Sequence, residues 1–456
     1  MTSFPMSEPG EALFSTEEMC ALFYCAAHVQ AMLVFEAALA HAEAQAGIIP
    51  AEAATAIAAS CKVERFDVAA LYREAALAGT PAIPLVRMLT AQVTGDAQKF
   101  VHWGATSQDA IDSALMLQMR DGLSLLEDGL SGICAACATL AERYQETPMV
   151  GRTLLQQALP ITFGLKAARW LSATTRQVRA LRERQKLSLA VQLGGAAGTL
   201  ASLGNEGPRV VELLADELGL PAPELPWHTE RERVAEIATT LGSIAGTMAK
   251  IADDVALLAQ SEIGEASEGS APGKGGSSAM PQKRNPVDAV AARAAARLAI
   301  GMVPVILSAM EQEHERAAGG WQAEWAAIPA LFRYTAGAVE RVRAALTDLQ
   351  VNTERMQANL VLDGGLVLAE SLTMALAAHI GRPEAYRVVQ QLSRRVVATN
   401  GELQQVALED TQVSAVLTAE EIERTLDPVA YLGSTSIFID RALASYRELR
   451  SSRGEQ

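Results

Sequence analysis

Two apolar seams constrain this chain more than any other feature. Met116, Met119, Leu123, Leu126, Leu130, Ile133, Cys137, Leu140 and Tyr144 alternate steps of three and four, and so do Val234, Ile237, Leu241, Ile244, Met248, Ile251, Val255 and Leu258. A stripe with that spacing stays on one face of an α-helix, and a stripe this long needs partner helices to cover it. Alanines crowd the flanking positions and allow close approach. Strand-type alternation is hard to find, so the predicted fold is nearly all-α, with further bundle helices starting after Pro160 and Pro286. Shorter helices, punctuated by Gly47, Pro50, Gly79, Pro81 and Pro84, precede the bundle, and Asp363-Gly364-Gly365 reads as a hinge to a smaller helical region. The expected division is therefore residues 1–110, 111–362 and 363–456, with the long bundle in the middle.

Charge narrows the partners. Acidic residues outnumber basic ones by 53 to 38, a net charge of −15, which argues against nucleic acid and against an anionic membrane surface. Such a chain binds an acidic small molecule only through a local basic pocket. Five cysteines in 456 residues make no disulfide framework. Cys134 and Cys137 form a Cys-x-x-Cys inside the first apolar seam, with no second pair and no nearby histidine, so packing explains them better than metal or redox chemistry. No charged start with an apolar segment and cleavage site opens the chain, and a cytoplasmic protein is expected. Leu187 to Asn205 is uncharged, but Gly194, Gly195, Gly198 and Gly204 make it a poor spanning helix; Leu298 to Met310 is too short and is broken by Pro304. No membrane partner is expected.

Chemistry concentrates between Gly273 and Asp288, where three glycines are followed by Ser277, Ser278, Lys283 and Asn285-Pro286. Proline behind a polar cap starts a helix, so a mobile hydroxyl, a cation and a helix N-terminus are expected to meet around an anion whose charge grows during reaction. A solvated linker would explain the glycines but not Met280, Pro281 and the cap. A second cluster, His102-Trp103-Gly104-Ala105-Thr106-Ser107-Gln108-Asp109, stands immediately before the first seam. Hydroxyls at a helix N-terminus make an anion site, or an ordinary N-cap.

Gly276 to Pro286 resembles the signature loop of the fumarase/aspartase superfamily, and the His102–Asp109 stretch is similar to its His-x-Gly-x-Thr-Ser-x-Asp motif. The resemblance runs over nearly the whole chain. It implies an all-α, three-domain chain with a long central helical bundle, assembled as a homotetramer whose active sites are shared between subunits. It implies that Ser277 moves the proton, that Lys283 and Asn285 stabilise the anion, and that His102, Thr106, Ser107, Ser278 and Met280 contact substrate. Gly151 to Pro160 resembles a third motif and adds Gln156, yet Leu154 stands where many members carry the histidine that handles the leaving group's proton. An amine needs that proton, whereas a carboxylate, with a reference pKa of about 4, leaves without it.

The departure at Leu154 points to carboxylate chemistry: lactone formation is carboxylate departure run in reverse. His314-Glu315-Arg316 also matches, which adds Arg316 as a ligand, but the serine and arginine that hold nucleotide phosphate in adenylosuccinate lyases fall at Trp321 and Trp325. A phosphate site cannot be built that way. Arg231, in the family-like stretch Trp227–Arg233, faces either a substrate carboxylate or its acidic neighbours. Gly194 to Thr199 is a weak glycine-rich match with no strand before it. The Trp-x-Ala-Glu-Trp pattern from Trp321 to Trp325 resembles the lactonising cycloisomerases of the superfamily, and that resemblance implies a lactonising cycloisomerase acting on a small tricarboxylate, with no metal or organic cofactor. The alternatives are an amine-releasing lyase of the same superfamily and a catalytically silent member.

Overall fold

A computed structural model describes residues 10–452. The expected all-α architecture is present: helices dominate, and the strands among the described residues are Pro148–Thr153, Gln156–Thr162, Ala266–Ser267 and Gln350–Val351. The first seam lies on the helix Ser107–Arg143, except Tyr144 just past its end, and the second on Glu232–Leu258. From Met116 to Leu140 and from Val234 to Leu258 every seam residue is buried. Cys134 and Cys137 are fully buried in the same helix, and burial pushes the Cys134 thiol up to about 12, as packing residues require.

The chain divides into two compact units. One contains residues up to Leu130, then Gln177–Ala249 and Ala291–Arg341; the other contains Ser131–Arg176, Lys250–Val290 and residues from Val342 onward. In the first unit the helix Cys25–Gln45 packs against Ala51–Ser60 and Gly207–Leu218. Its core gathers Met32, Leu33, Ile57, Leu71, Leu85, Leu89, Ile111 and Trp321. The helix Val68–Ala78 stops at Gly79, whose φ of 74° a side chain would resist.

In the second unit the stretch Gly151–Pro160, which showed no strand pattern, forms an antiparallel hairpin with Thr153 opposite Gln156. Leu154 and Leu155 make its two-residue tip with φ of 49° and 64°. Tips of that hand ordinarily take Asn-Gly, so nothing in Leu-Leu signals one. The C-terminal helices Ala369–Ile380, Arg382–Thr399 and Leu403–Glu409 close over Leu372, Leu376, Val388, Leu392, Leu403 and Val406. At Asp363-Gly364-Gly365 the chain turns tightly, and a Cβ on Gly364 would meet the Gly401 carbonyl oxygen at 2.3 Å.

Pro304 does not end its helix; Val287–Ser308 continues through it. Cys25–Gln45, Ser107–Arg143 and Val287–Ser308 are long and apolar enough to cross a membrane by length and composition. The first buries Glu36 and Glu43, and the second buries Asp109 and Asp112.

Candidate functional site

In the first unit the site is built around the start of the Ser107 helix. Asp109, in its first turn, is wholly buried and gathers four partners. Its Oδ1 accepts from the Gly194 N–H at 3.0 Å and meets His228 Nε2 at 2.7 Å; its Oδ2 accepts from the N–H groups of Thr106 at 2.9 Å and Gly195 at 3.0 Å. One carboxylate thus ties the helix start to the glycine turn and to the loop before the second seam. Gln108 extends the network, donating to Asp112 at 3.0 Å and to the His228 carbonyl at 2.8 Å. Its oxygen accepts from Arg316 at 3.2 Å, and Arg316 also donates to the carbonyls of Gly195 and Ala196 at 3.4 and 2.9 Å.

Of the two readings of Arg231, the structure shows acidic partners, but buried ones from distant positions in place of its sequence neighbours. Its guanidinium donates to Asp112 at 2.7 and 3.2 Å and to Glu324 through Nε at 3.0 Å and through a second nitrogen. It also stacks over the Trp227 ring, with 4.9 Å to the centroid. Fully buried and gripped by two carboxylates, it is a structural cation. Trp321 donates to Asp112 at 3.0 Å and packs edge-on against Trp325 with 4.9 Å between rings.

His102, Thr106 and Ser107 face a different environment. His102 has a left-handed φ of 58°, and its Nδ1 lies 2.6 Å from Glu36 Oε1. Burial by itself would lower the imidazole pKa, but the charge and hydrogen bond of Glu36, helped by Asp109, outweigh it and the pKa is raised. Among the described residues, the hydroxyls of Thr106 and Ser107 and the Nε2 of His102 have no hydrogen-bond partner. The hydroxyls therefore do not cap the helix, and Asp109 satisfies the nearby backbone donors instead.

Two turns beyond Glu36, Glu43 is buried with neither carboxylate oxygen partnered. Burial first, and then the charge of Glu36, raise its pKa from 4.5 to about 9. The folded state thus holds a proton that the unfolded chain releases. The stability this group permits is complete below pH 4.5 and drains away as pH rises toward 9. Glu43→Met, of similar length and without a charge, is expected to stabilise the protein by about 3 kcal/mol at pH 7 and to flatten that decline. Urea unfolding from pH 5 to about 9 checks it; parallel curves for both proteins would refute a proton held at Glu43.

In the second unit the glycine-rich loop closes on itself. The Asn285 N–H donates to the Gly275 carbonyl at 2.8 Å and its side-chain amide to that of Gly276 at 3.3 Å. Gly275 has φ of 70°, and a Cβ there would meet the Asn285 carbonyl oxygen at 2.7 Å, so the closure requires glycine. Ser277 Oγ accepts from the N–H groups of Met280 at 3.1 Å and Ala279 at 3.4 Å. Ser278, Met280 and Lys283 are exposed on this loop, and Gln156 is exposed beside the hairpin tip. The helix amides expected to face the anion do not: Glu268 accepts from Asp288 and Ala289 at 3.1 and 2.8 Å. Arg152 is held by Glu265 through two 2.8 Å bonds.

The first unit therefore gathers His102, Thr106, Ser107, Arg231 and Arg316 around one helix start. The second carries Ser277, Ser278, Met280, Lys283 and Asn285 on one loop and Gln156 on the hairpin. Sequence reasoning missed the acidic partners Glu36, Glu268 and Glu324. Glu36 had a signal, an acid inside the apolar run Met32 to Leu39.

Residues 13–301 match the family model described as Lyase, and residues 365–442 match the one described as Adenylosuccinate lyase C-terminus. A 3-carboxy-cis,cis-muconate cycloisomerase of Pseudomonas aeruginosa is 46% identical over 452 residues, covering 98% of each chain. The crystal structure of the 3-carboxy-cis,cis-muconate lactonizing enzyme from Pseudomonas putida is 44% identical with a TM-score of 0.92, covering 97% of this chain and 99% of that one. That of the beta-carboxy-cis,cis-muconate cycloisomerase from Acinetobacter calcoaceticus is 39% identical with a TM-score of 0.90, covering 95% and 99%.

Proposed function

The chain belongs to the lyase family within the fumarase/aspartase superfamily, and from that membership we propose that it is a 3-carboxy-cis,cis-muconate cycloisomerase. It interconverts 3-carboxy-cis,cis-muconate and 4-carboxymuconolactone. The observation that carries this reading is 46% identity to such an enzyme along 98% of both chains. The exposed Leu154 supports it, because a carboxylate needs no proton carrier to add or to leave.

In the lactonising direction one substrate carboxylate adds to the carbon bearing the 3-carboxyl, forming the C–O bond. The electron pair of the double bond moves onto the neighbouring carbon and its carboxylate, giving an enediolate-like anion. Lys283 and Asn285 stabilise that charge, and a proton from Ser277 completes the C–H bond. The two N–H groups that meet Ser277 Oγ lower the cost of the oxyanion left behind. Solvent returns the proton to the serine. His102, Thr106, Ser107, Gln156 and Arg316 hold the remaining carboxylates, with Ser278 and Met280 lining the loop side. Attack within one substrate molecule already supplies proximity, and the scheme calls on no metal or organic cofactor.

The same proposal includes a place in protocatechuate breakdown, a cytoplasmic setting and a homotetramer with shared active sites. It also includes the division of the chain at 110/111 and 362/363. Purified enzyme should abolish the conjugated-diene absorbance of 3-carboxy-cis,cis-muconate. Persistence of that absorbance, with turnover of a succinyl-amine instead, would replace the reading with an amine-releasing lyase.

A further inference from the structure

Glu36 lies on the helix Cys25–Gln45, away from every motif in the sequence, yet it touches the one histidine the substrate site uses. It is 1% exposed, its Oε1 lies 2.6 Å from His102 Nδ1, and its Oε2 has no partner among the described residues. A carboxylate buried with one partner needs that partner to be its counter-ion. The ring offers both nitrogens: Nδ1 to Glu36, and Nε2 without a protein partner, on a side chain still 15% exposed. Its left-handed backbone fixes the ring's approach from a short loop.

We propose that Glu36 is a positioning residue for the reaction: it fixes the His102 ring and keeps it a cation, so that Nε2–H binds a substrate carboxylate. The proposal rests on the cycloisomerase reading for its substrate, but not for the charge on His102. The groups acting on the ring are Glu36 from the Cys25 helix and Asp109 from the Ser107 helix. The charge of Glu36 in turn helps burial to raise the pKa of Glu43 and of Cys61. Asp109 is already saturated by four donors, which leaves Glu36 as the carboxylate that decides the proton.

The physical argument also sets the sign. A trianionic substrate gains from a fixed cation, and loses that gain when the ring deprotonates. Wild-type enzyme should keep low KM to higher pH than free imidazole would allow. Glu36→Gln preserves shape and an acceptor for Nδ1–H but removes the charge.

The test uses the full-length enzyme. Glu36→Gln should raise KM about tenfold above neutral pH, shift the rise of KM to lower pH, and leave kcat within about twofold. Glu36→Asp, which restores the charge, should move the profile back toward wild type. A merely structural Glu36 would change kcat or melting temperature and leave the KM–pH profile in place, and that result overturns the proposal. Independently, 15N NMR titration of the six histidines, with His102 assigned through His102→Gln, should find His102 titrating above free imidazole in wild type. Titration at or below free imidazole sinks the proposal even if Glu36→Gln fails to fold. Wild type that leaves the muconate untouched would refute the cycloisomerase reading alone, since the titration still decides what Glu36 does to His102.

Discussion

Ser277→Ala is expected to lower kcat for 3-carboxy-cis,cis-muconate about a thousandfold while KM stays within a few-fold. Alanine removes the proton and the acceptor for two backbone N–H groups, which are exposed and can turn to water. Loop closure should survive, because its stitches run through Asn285 to the carbonyls of Gly275 and Gly276 and do not involve the serine side chain. That separates a chemical defect from a structural one. A serine is an unusual acid, with a proton far less available than that of histidine. The two N–H donors stabilise the oxyanion, and Lys283 on the same loop adds positive charge. Stopped absorbance assays at saturating substrate measure the effect. A loss below about tenfold would move the proton to solvent or to another residue and remove Ser277 from its role.

How far such assignments could be read without a structure depended on where each interaction partner lies along the chain. The seams from Met116 to Leu140 and from Val234 to Leu258 were legible because helical periodicity is local: the burial of each residue follows from neighbours three and four positions away. The helix start after Asn285-Pro286 was legible for the same reason, since cap and proline are adjacent, but the bonds by which Asn285 closes the loop on Gly275 and Gly276 were not. The hairpin at Gly151–Pro160 was not. Its strands are irregular at Gly151 and its tip is Leu154-Leu155, residues that avoid the left-handed region unless surrounding structure imposes it.

Charge partners were the least legible class. The acidity of Glu268, Glu324 and Glu36 is plain in the sequence, but Glu36 meets His102 across 66 positions, and Glu324 meets Arg231 across 93. No local rule reports such pairings. The consequence for function is direct. Arg231 stood open between a substrate carboxylate and its acidic neighbours, because the two carboxylates that neutralise it lie on other helices. The amino end of the Val287 helix looked like an anion site until Glu268 was found on its first amides.

The Arg231 triad carries the largest expected effect on stability. Asp112 and Glu324 are at 0% and 1% exposure, and one guanidinium lies between them. Arg231→Met keeps much of the side chain's volume over Trp227 but leaves two buried carboxylates facing each other without a cation. The variant is expected to lose about 3–5 kcal/mol, the usual cost of removing one partner from a buried ion network. Its pH dependence gives the cause. Burial already raises the Glu324 pKa in the presence of Arg231, whose charge and hydrogen bond lower it, so without Arg231 it should be raised further. Folded-state protons are then bound more tightly than unfolded ones, so the deficit should shrink as pH falls toward 4 and grow as pH rises through neutrality. Arg231→Lys restores charge but not the fork that meets both carboxylates, and should recover only part of the loss. Urea unfolding at fixed protein concentration measures all three proteins. A deficit that stays the same from acid to neutral pH would show that Arg231 contributes through packing on Trp227, and not through charge.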